Sequence, residues 1–467
     1  MRKYKLGDIL RAHTCPACGH HVAVTFYDGG RQPLTTLAWP ASKDEAIDMP
    51  RLPLSFVRCV DCGHVSNSEF DYSQVPYTDK PNLMFNTGAI WSDHLQAVRD
   101  LLLKGLPQQP TVVEIGCGEG HLLRALAEAR PDGRYIGFDP NATIETGGGK
   151  IVARAELFEP AEHLAEYQPD LLISRHVLEH LMNPLGFIQA LAFAASWEEI
   201  ETRLFIEVPC IDHVFAMGRT VDFFYEHNSH FTTESLEKML RRCASSVELI
   251  ETSYNGEVVY GIAGFQKQPQ KNNYAHVALD FSERVTRSVD HLRSQLNALH
   301  TSGKRIAIWG GAGKAAAFIH QMQMDCDRFP IVVDSDSDKA GTFVPGTGQE
   351  ILFRDYLLDH PVDVIIIATQ WRAADIVLEI TRCKIPYETI LIEYQGTLID
   401  YFADKHPYRL IHLTKDGSAV PRPKLLSTFQ PHGDETRFAV GTQGDHKKGW
   451  PPTVFPGNAD SGDSDES

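Results

Sequence analysis

Four cysteines near the N-terminus occur as two closely matched pairs that could bind a metal ion. Cys15 and Cys18 lie in CPACGH, and Cys59 and Cys62 lie in CVDCGH. The glycine after each second cysteine permits the tight turn that brings two thiolates to one ion. Four thiolates close a tetrahedral shell and leave no position for water, so we predict a structural Zn²⁺ site rather than a catalytic one. Four neighbouring histidines are not assigned as ligands: His13, His20, His21 and His64.

A glycine-rich segment, EIGCGEG at residues 114–120, could bind the nucleoside part of a ligand. It follows a run typical of a buried strand and opens a helix, so its glycines let the backbone bend sharply and approach a ligand closely. Asp139 ends the next predicted strand, where a carboxylate can accept hydrogen bonds from both ribose hydroxyls. Such a glycine pattern alone does not specify the ligand.

The leading acid of this segment, Glu114, favours a ligand without phosphate. Dinucleotide folds usually carry an apolar residue at this strand position and bind pyrophosphate at the helix N-terminus. S-adenosylmethionine has no phosphate, and its sulfonium and ammonium groups favour an acidic cleft. The segment therefore resembles motif I of class I methyltransferases. The resemblance implies that Gly116, Gly118 and Gly120 face the donor. It also implies that Glu114 orders the loop and that Asp139 holds the ribose. Glu156 and Leu157 are implied to lie near the adenine.

Histidines that follow two predicted strands could act on the methyl acceptor. The donor methyl is already electrophilic, but a carbon nucleophile must first lose a proton, and histidine titrates near neutral pH. We predict that His227, oriented by Glu226, removes this proton and that His180 polarises the acceptor oxygen. Tyr225 is predicted to donate to the developing enolate, and Tyr77 to cover the acceptor. Packing is the alternative role for each single histidine and for Tyr77.

The order of motifs resembles the three-domain family of sugar C-methyltransferases, which act on nucleotide-linked ketosugars. The resemblance covers about residues 12–400 and rests on six segments: CPACG with CVDCG, EIGCGEG, RHVLEH, YEHNSHFT, GGAGKAAAF and VVDSDSDKAGTFVPGTG. It implies methyl transfer from S-adenosylmethionine to the carbon beside a keto group, with His227 as the base. The family usually has Tyr-His-Glu-His where this chain has Phe224-Tyr225-Glu226-His227, which leaves the acceptor and the role of Tyr225 open.

A second glycine-rich turn, GGAGKAA at residues 310–316, fits G-x-G-x-x-A and is followed by Asp334 at the end of a predicted strand. Read alone, it would indicate NAD and a fused dehydrogenase. No group of residues suited to hydride transfer follows it. The family resemblance instead implies a platform that helps to hold the nucleotide of the acceptor. Lys314 could then contact a phosphate, or could be a solvated lysine at a helix start.

The intervening sequence predicts the elements that position these residues. Between about 111 and 270, short β-branched runs alternate with helical periodicity, which indicates a mainly parallel sheet covered by helices. We predict an α/β fold with a Rossmann-like methyltransferase core, a small N-terminal zinc-binding domain and a second Rossmann-like domain. The predicted parts are a zinc-binding domain (1–70), the methyltransferase domain (71–270), a linker helix (271–302), the C-terminal domain (303–410) and a disordered tail (411–467).

Apolar residues at helical spacing predict that the linker is one long helix that packs on a core. They are Phe281, Val285, Val289, Leu292, Leu296 and Leu299.

Composition excludes several classes of function. The 467 residues are 43% hydrophobic and 22% charged, which is typical of globular domains. The net charge of −17, with no basic stripe, argues against nucleic-acid and anionic-membrane partners. No apolar run approaches the roughly 20 residues of a membrane span, and nine cysteines in this pattern are not a disulfide framework, so we expect a cytoplasmic protein. The expected partner is a small molecule, most simply a nucleotide sugar; the oligomeric state is left open.

Two other functions stay open at this point. One is O- or N-methylation of a different small metabolite, which the position of the new methyl group would reveal. The other is a zinc-stapled binding or scaffold protein without catalysis, which would not bind S-adenosylmethionine.

Overall fold

A computed structural model gives the chain two compact units, residues 1–284 and 285–467. The first unit contains two β-sheets and the second contains one. The described structure ends at 409, so the predicted tail, 411–467, lies outside the described residues. None of the described helices is long and apolar enough to cross a bilayer. The structure describes four stretches of the chain: 5–37, 39–77, 88–142 and 151–409.

The N-terminal sheet is antiparallel and includes one strand from far along the chain. Its strands are β1 (Leu10–Ala12), β2 (Val22–Gln32), β3 (Leu52–Cys59), β4 (Val65–Asn67) and β10 (Ser229–His230), in the order β1-β2-β3-β4-β10. Two short helices accompany it, α1 (Leu6–Ile9) and α2 (Lys43–Asp48). The pairing of β10 with β4 joins this sheet to the segment just after His227, a link that the sequence did not predict.

The central sheet has seven strands, of which β12 alone runs antiparallel to its neighbours. Its order is β11-β12-β9-β8-β5-β6-β7. The strands are β5 (Thr111–Ile115), β6 (Arg134–Phe138), β7 (Ile151–Arg154), β8 (Leu171–Arg175), β9 (Thr202–Pro209), β11 (Ser246–Ser253) and β12 (Val258–Phe265). The accompanying helices are α3 (Ala89–Leu103), α4 (His121–Ala129), α5 (Pro160–Tyr167), α6 (Pro184–Trp197), α7 (Asp212–Met217) and α8 (Thr233–Cys243). This is the predicted Rossmann-like methyltransferase core.

Local sequence explains why these elements form where they do. The central strands are buried runs of aliphatic residues, as expected for parallel strands covered on both faces. Helix α6 begins at Pro184, and the Asn183 side chain caps it by accepting the Gly186 N–H at 2.9 Å. Helix α8 begins with a reciprocal cap between Thr232 and Ser235. These caps fix where the loops at the carboxyl edge of the sheet end.

The second unit contains a six-stranded sheet in the order β15-β14-β13-β16-β17-β18. All its strand pairs are parallel except the last, β17 with β18. The strands are β13 (Ile306–Trp309), β14 (Ile331–Asp334), β15 (Ile351–Phe353), β16 (Val364–Ile367), β17 (Thr389–Tyr394) and β18 (Thr397–Asp400). The helices are α10 (Lys314–Gln321), α11 (Tyr356–Asp359) and α12 (Ala373–Cys383). The second predicted α/β domain is therefore present.

A long helix, α9 (Pro269–Thr301), begins in the first unit and ends in the second. Its predicted apolar stripe is only partly packed. Leu292 and Leu296 are buried in the core of the second unit, whereas Phe281 is 60% exposed and Val285 is 38% exposed. Core packing therefore accounts for the C-terminal half of the stripe and not for its beginning.

Candidate active site

A cleft with a cavity volume of about 280 Å³ opens at the carboxyl edge of the central sheet. The glycine turn after β5 and Asp139 after β6 form one wall. His176 and His180, which follow β8, form another, and Tyr77 lines the cleft from the N-terminal side. Ligands of open α/β sheets bind at this edge, and the cavity brings the predicted donor residues together with Tyr77 and His180 of the predicted acceptor residues.

The glycine turn requires its glycines for conformational reasons. Gly116, Gly118 and Gly120 have positive φ angles of +72°, +48° and +69°. A Cβ on Gly116 would lie 2.3 Å from Cγ2 of Val177, whereas nothing lies within 4 Å of a Cβ position on Gly118. The turn thus passes closely under the β8 loop at its start and has open space in the middle.

Asp139 holds this turn in place. Its Oδ2 accepts the Gly118 N–H at 3.1 Å, and its Oδ1 accepts the Asn141 N–H at 2.8 Å. The Asn141 side-chain amide donates in turn to the carbonyl oxygen of Tyr77 at 3.1 Å. Asp139 lines the cleft, so it could both order the turn and bind a ribose, and the donor wall is linked directly to the tyrosine of the acceptor wall.

Glu114 gives the donor wall an acidic group with one unpartnered oxygen. Its side chain is buried at the cleft, and among the described residues its Oε2 has no hydrogen-bond partner. Burial raises the pKa of this carboxyl to about 7. A cationic ligand would stabilise the ionised form, so the group fits S-adenosylmethionine. Glu156 and Leu157 also line the cleft, and Leu157 is 56% exposed, which leaves its side chain free for a ligand.

Tyr77 and His180 meet at a single backbone carbonyl, that of Glu226. His180 Nδ1 lies 2.8 Å from this oxygen and 3.0 Å from the Tyr77 hydroxyl, which also donates to the same carbonyl. Because a carbonyl only accepts, the Nδ1 atom of His180 carries a proton. Burial raises the pKa of Tyr77, so its phenol stays protonated and can donate a hydrogen bond.

The His227 ring lies edge-on beside the ring of His180. Its ring centroid lies 4.8 Å from that of His180 and 4.2 Å from that of Phe224. Burial and the neighbouring imidazoles of His180, His230 and His176 hold the pKa of His227 well below its usual value. The imidazole is therefore neutral at neutral pH, the state that a general base needs. The structure brings Tyr77, His180 and His227 together, and their predicted roles stay predictions.

Two families match the chain over its two α/β parts. Residues 90–243 match a methyltransferase domain, and residues 265–385 match a C-methyltransferase C-terminal domain. The chain is a class I S-adenosylmethionine-dependent methyltransferase. The second match assigns a C-methyltransferase C-terminal domain to this methyltransferase, which agrees with the resemblance drawn from its motifs.

Solved structures resemble the methyltransferase over about two fifths of its length. A possible exported protein from Bordetella parapertussis is 16% identical over 38% of this chain and 68% of its own, with a TM-score of 0.31. A SAM-dependent methyltransferase from Aquifex aeolicus is 14% identical over 37% and 97%, with a TM-score of 0.29. Magnesium protoporphyrin IX methyltransferase from Synechocystis PCC 6803, with bound SAH, is 18% identical over 38% and 84%, with a TM-score of 0.30. These TM-scores are too low to bear on its function. No curated protein matches the chain.

Two residues predicted to act on the acceptor have other partners in the methyltransferase. The Glu226 carboxylate accepts the backbone N–H groups of Thr35 and Thr36 at 2.6 and 2.7 Å. Tyr225 is 1% exposed, and its hydroxyl accepts the Asp71 N–H at 2.8 Å. The predicted orienting role of Glu226 and the predicted enolate contact of Tyr225 are therefore corrected. A turn at these two residues directs both side chains towards the N-terminal part of the chain, and Glu226 contributes its carbonyl instead.

A buried charge network beside the cleft was missed by the sequence analysis. Glu207 on β9 is fully buried and pairs with Arg175 at 2.7 Å and with His94 at 2.9 Å. His176 lies 3.2 Å from Glu207 and 3.4 Å from Glu179. An acidic residue inside the apolar strand run RLFIEVP was the one signal that could have indicated this network, because a buried carboxylate needs a partner.

The four cysteines meet in one buried cluster. All four Sγ atoms lie within 4.8 Å of one another, and both Cys15–Cys62 and Cys18–Cys59 are separated by 3.6 Å. The two pairs share one geometry, since a glycine with φ of +75° or +77° follows each. Each of these glycines donates its N–H to the first cysteine of its pair. Four converging sulfurs without an open side fit a tetrahedral structural Zn²⁺.

The second glycine turn also contains one tightly packed glycine, but its charged residues are paired within the second unit. A Cβ on Gly311 would lie 2.5 Å from Cδ1 and Cγ1 of Ile351. Both carboxylate oxygens of Asp334 lie 3.2 Å from the Lys339 ammonium. The Lys314 ammonium lies 4.4 Å from the centroid of the Trp371 ring, so a cation–π contact holds it at the helix start. Its predicted phosphate contact stays a prediction.

Proposed function

We propose that this methyltransferase moves a methyl group to the carbon beside the carbonyl of a nucleotide-linked ketosugar. The observation that carries the proposal is that one cleft is lined by the donor turn together with Tyr77 and His180, and that the His227 ring lies 4.8 Å from that of His180. The match to a C-methyltransferase C-terminal domain supports carbon as the acceptor atom.

The donor wall would bind S-adenosylmethionine, which supplies a methyl group on a positively charged sulfur. Gly116, Gly118 and Gly120 would let the ligand approach the backbone. The Asp139 carboxylate would accept ribose hydroxyls, and Glu114 would complement the positive charge. Glu156 and Leu157 would lie near the adenine.

The acceptor wall would generate the carbon nucleophile. His227 takes the proton from the carbon beside the carbonyl, the C–H electron pair moves into an enolate, and the negative charge collects on the carbonyl oxygen. The protonated Tyr77 hydroxyl and His180 would polarise and stabilise that oxygen. The enolate carbon would then bond to the methyl group as the bond from that group to the donor sulfur breaks, which would leave S-adenosylhomocysteine; the ketone would re-form, and the proton would leave from His227. Alignment of the two substrates in one cleft would supply the rest of the rate enhancement.

We further propose that Cys15, Cys18, Cys59 and Cys62 bind a structural Zn²⁺. The ion would fold the N-terminal sheet, which includes β10, and would thereby hold the segment that carries His227. It would take no part in methyl transfer.

His227→Ala tests the proposed reaction. With S-adenosylmethionine and a screen of 4-keto sugar nucleotides, we expect turnover to fall about 10²- to 10⁴-fold, because a general base contributes about that much. Calorimetry should show unchanged donor affinity, and carbon-13 NMR of the wild-type product should place the new methyl on carbon. His291→Ala, which removes an exposed imidazole of α9, is the control. A methyl group on oxygen or nitrogen would contradict the proposal, as would loss of donor binding in His227→Ala.

A further inference from the structure

A row of buried and half-buried groups of alternating charge leads from the cleft wall to the base. Arg175 Nη2 lies 2.7 Å from Glu207 Oε1, and His176 Nε2 lies 3.2 Å from the same oxygen. The other ring nitrogen of His176, Nδ1, lies 3.4 Å from Glu179 Oε1. Each charge in this row therefore has an opposite charge beside it, and Glu179 is the last member before the histidine pair.

His176 is held in this row by its backbone. Its φ of +53° lies in the left-handed region, which a non-glycine residue rarely adopts. The backbone N–H donates to the Glu207 carbonyl at 2.9 Å, so the main chain fixes the ring between the two carboxylates. Burial opposes a charge on this ring, but Glu179 and Glu207 outweigh it and raise the pKa of His176 to about 9. The ring is thus a buried cation at neutral pH.

Glu179 is the member of the row whose carboxylate lacks hydrogen-bond donors among the described residues. Its side chain is 2% exposed, and among the described residues neither of its carboxylate oxygens has a hydrogen-bond partner. Glu179 offers one carboxylate oxygen, and His180 and His227 one ring nitrogen each, that all lie within 4.8 Å of one another. The His176 cation compensates part of the charge of this buried carboxylate, and a second cation on its other side would stabilise it further.

We infer that Glu179 is the charge partner of the base and stabilises the imidazolium that forms when His227 takes the acceptor proton. This inference rests on the proposed function. In that step the C–H bond breaks, an N–H bond forms on His227, and the electron pair stays on the acceptor as the enolate. Glu179 gains a second cation beside it in this step, while His176 holds it in place. Glu179 is a positioning residue, and it takes the role that the sequence had assigned to the Glu226 side chain.

The same three side chains could also suggest a metal site, but their surroundings disfavour it. The His176 cation lies 3.4 Å from the carboxylate and would repel a divalent ion. His227 must also keep its lone pair for the acceptor proton. A metal at this place is therefore treated as an outcome of the test.

Glu179→Gln in the zinc-loaded protein tests the inference, with Glu179→Asp as the conservative variant. We expect kcat to fall about tenfold to a hundredfold, with KM and donor affinity little changed. The acidic limb of the pH profile of kcat should move to lower pH, because an anion that stabilises the imidazolium raises its pKa. Glu179→Asp should restore most of kcat and of the profile. Glu237→Gln, which breaks an ion pair with Arg241 on α8, is the matched control.

The groups that also face this base are Tyr77, His176, His180 and His230, and all four are unchanged in these variants. An unchanged pH profile in Glu179→Gln would overturn the inference. So would a second bound metal equivalent in the wild type, measured by mass spectrometry, that Glu179→Gln loses.

Histidine NMR titration of the substrate-free protein separates this inference from the proposed function. Glu179→Gln should lower the pKa of His227 relative to the wild type, whichever acceptor the enzyme uses. If that difference is present but no ketosugar is methylated on carbon, only the proposed function fails. If carbon methylation occurs but the pKa of His227 is the same in both proteins, only the inference fails.

Discussion

The two glycine-rich turns of this chain follow one plan and have different surroundings. Each joins the first strand of a parallel sheet to a helix, and each is followed by an acidic residue at the end of the next strand. Their glycines are packed alike: a Cβ on Gly116 or on Gly311 would lie within 2.5 Å of a neighbouring side chain, and a Cβ on Gly118 or on Gly313 would meet nothing within 4 Å. The first turn differs in the acidic residues beside it, Glu114 and Asp139, which line a cleft with it.

The acidic residues that follow the two turns have different partners. Asp139 accepts backbone N–H groups and lines the cleft, whereas Asp334 is ion-paired with Lys339 at 3.2 Å. Two positions before the first glycine, the first unit has Glu114 and the second has Ile308. The glycine pattern therefore reports the geometry of a strand-to-helix turn, and the neighbouring charges and space decide whether it can bind a ligand.

The largest expected effect is the contribution of Glu114 to the pH dependence of the free energy of unfolding. Because burial raises the folded-state pKa of its carboxyl from 4.5 to about 7, the folded protein binds more protons than the unfolded chain between these values. The free energy of unfolding should therefore fall as the pH rises through this range, by about 3 kcal/mol. In Glu114→Gln this fall should be absent. Urea unfolding from about pH 4.5 to about pH 8 measures it, with exposed Glu128→Gln as the control, and parallel curves would contradict the expectation.

Substitutions of Asp139 and Asp334 should affect the affinity for the methyl donor differently. Asp139→Ala should weaken S-adenosylmethionine binding about tenfold to a hundredfold, because it removes both a ribose acceptor and the anchor of the Gly118 N–H. Asp334→Ala should leave the affinity unchanged. Isothermal titration calorimetry on both variants makes the comparison. Equal losses in the two would show that the turns do not differ in the way their surroundings indicate.

A smaller effect is expected for packing in the second unit. Gly311→Ala should lower the free energy of unfolding by about 1–2 kcal/mol, since its Cβ would overlap the side chain of Ile351. Donor affinity should not change. Ile351→Val should relieve part of the overlap, so the double variant should lose less stability than the sum of the two single variants. Additive losses in thermal unfolding would argue against tight packing at this turn.

Local patterns were enough to predict most of the fold and the donor wall. Aliphatic runs such as TVVEIG and DLLISR are strands, the paired cysteines converge, and the glycine turn and Asp139 line one cleft. Each of these features depends on residues close together in sequence or on a rule of parallel sheets. Tyr77, His180 and His227 come together because all three lie at or near the carboxyl edge of the sheet. The predicted domain boundaries and the roles of these residues stay predictions.

The errors arise where contacts are distant in sequence. Glu226 binds Thr35, 191 residues away, so its direction could not be read from the adjacent His227. Tyr225 faces the backbone of Asp71 for the same reason. The charge row depends on Glu207, which lies on a different strand from His176. A one-dimensional pattern carries no signal for such pairs beyond an acidic residue inside an apolar strand.

The short strand β10 constrains how this enzyme could be recombined. Since Ser229 and His230 complete a sheet whose other four strands lie before residue 68, the two segments cannot be separated by a single cut in the gene. A chimaera that exchanged the N-terminal segment alone would present a foreign edge to β10 and a foreign loop to the Glu226 carboxylate, three residues before this strand. Grafts onto related scaffolds should therefore transplant the first segment and residues 223–231 as a pair.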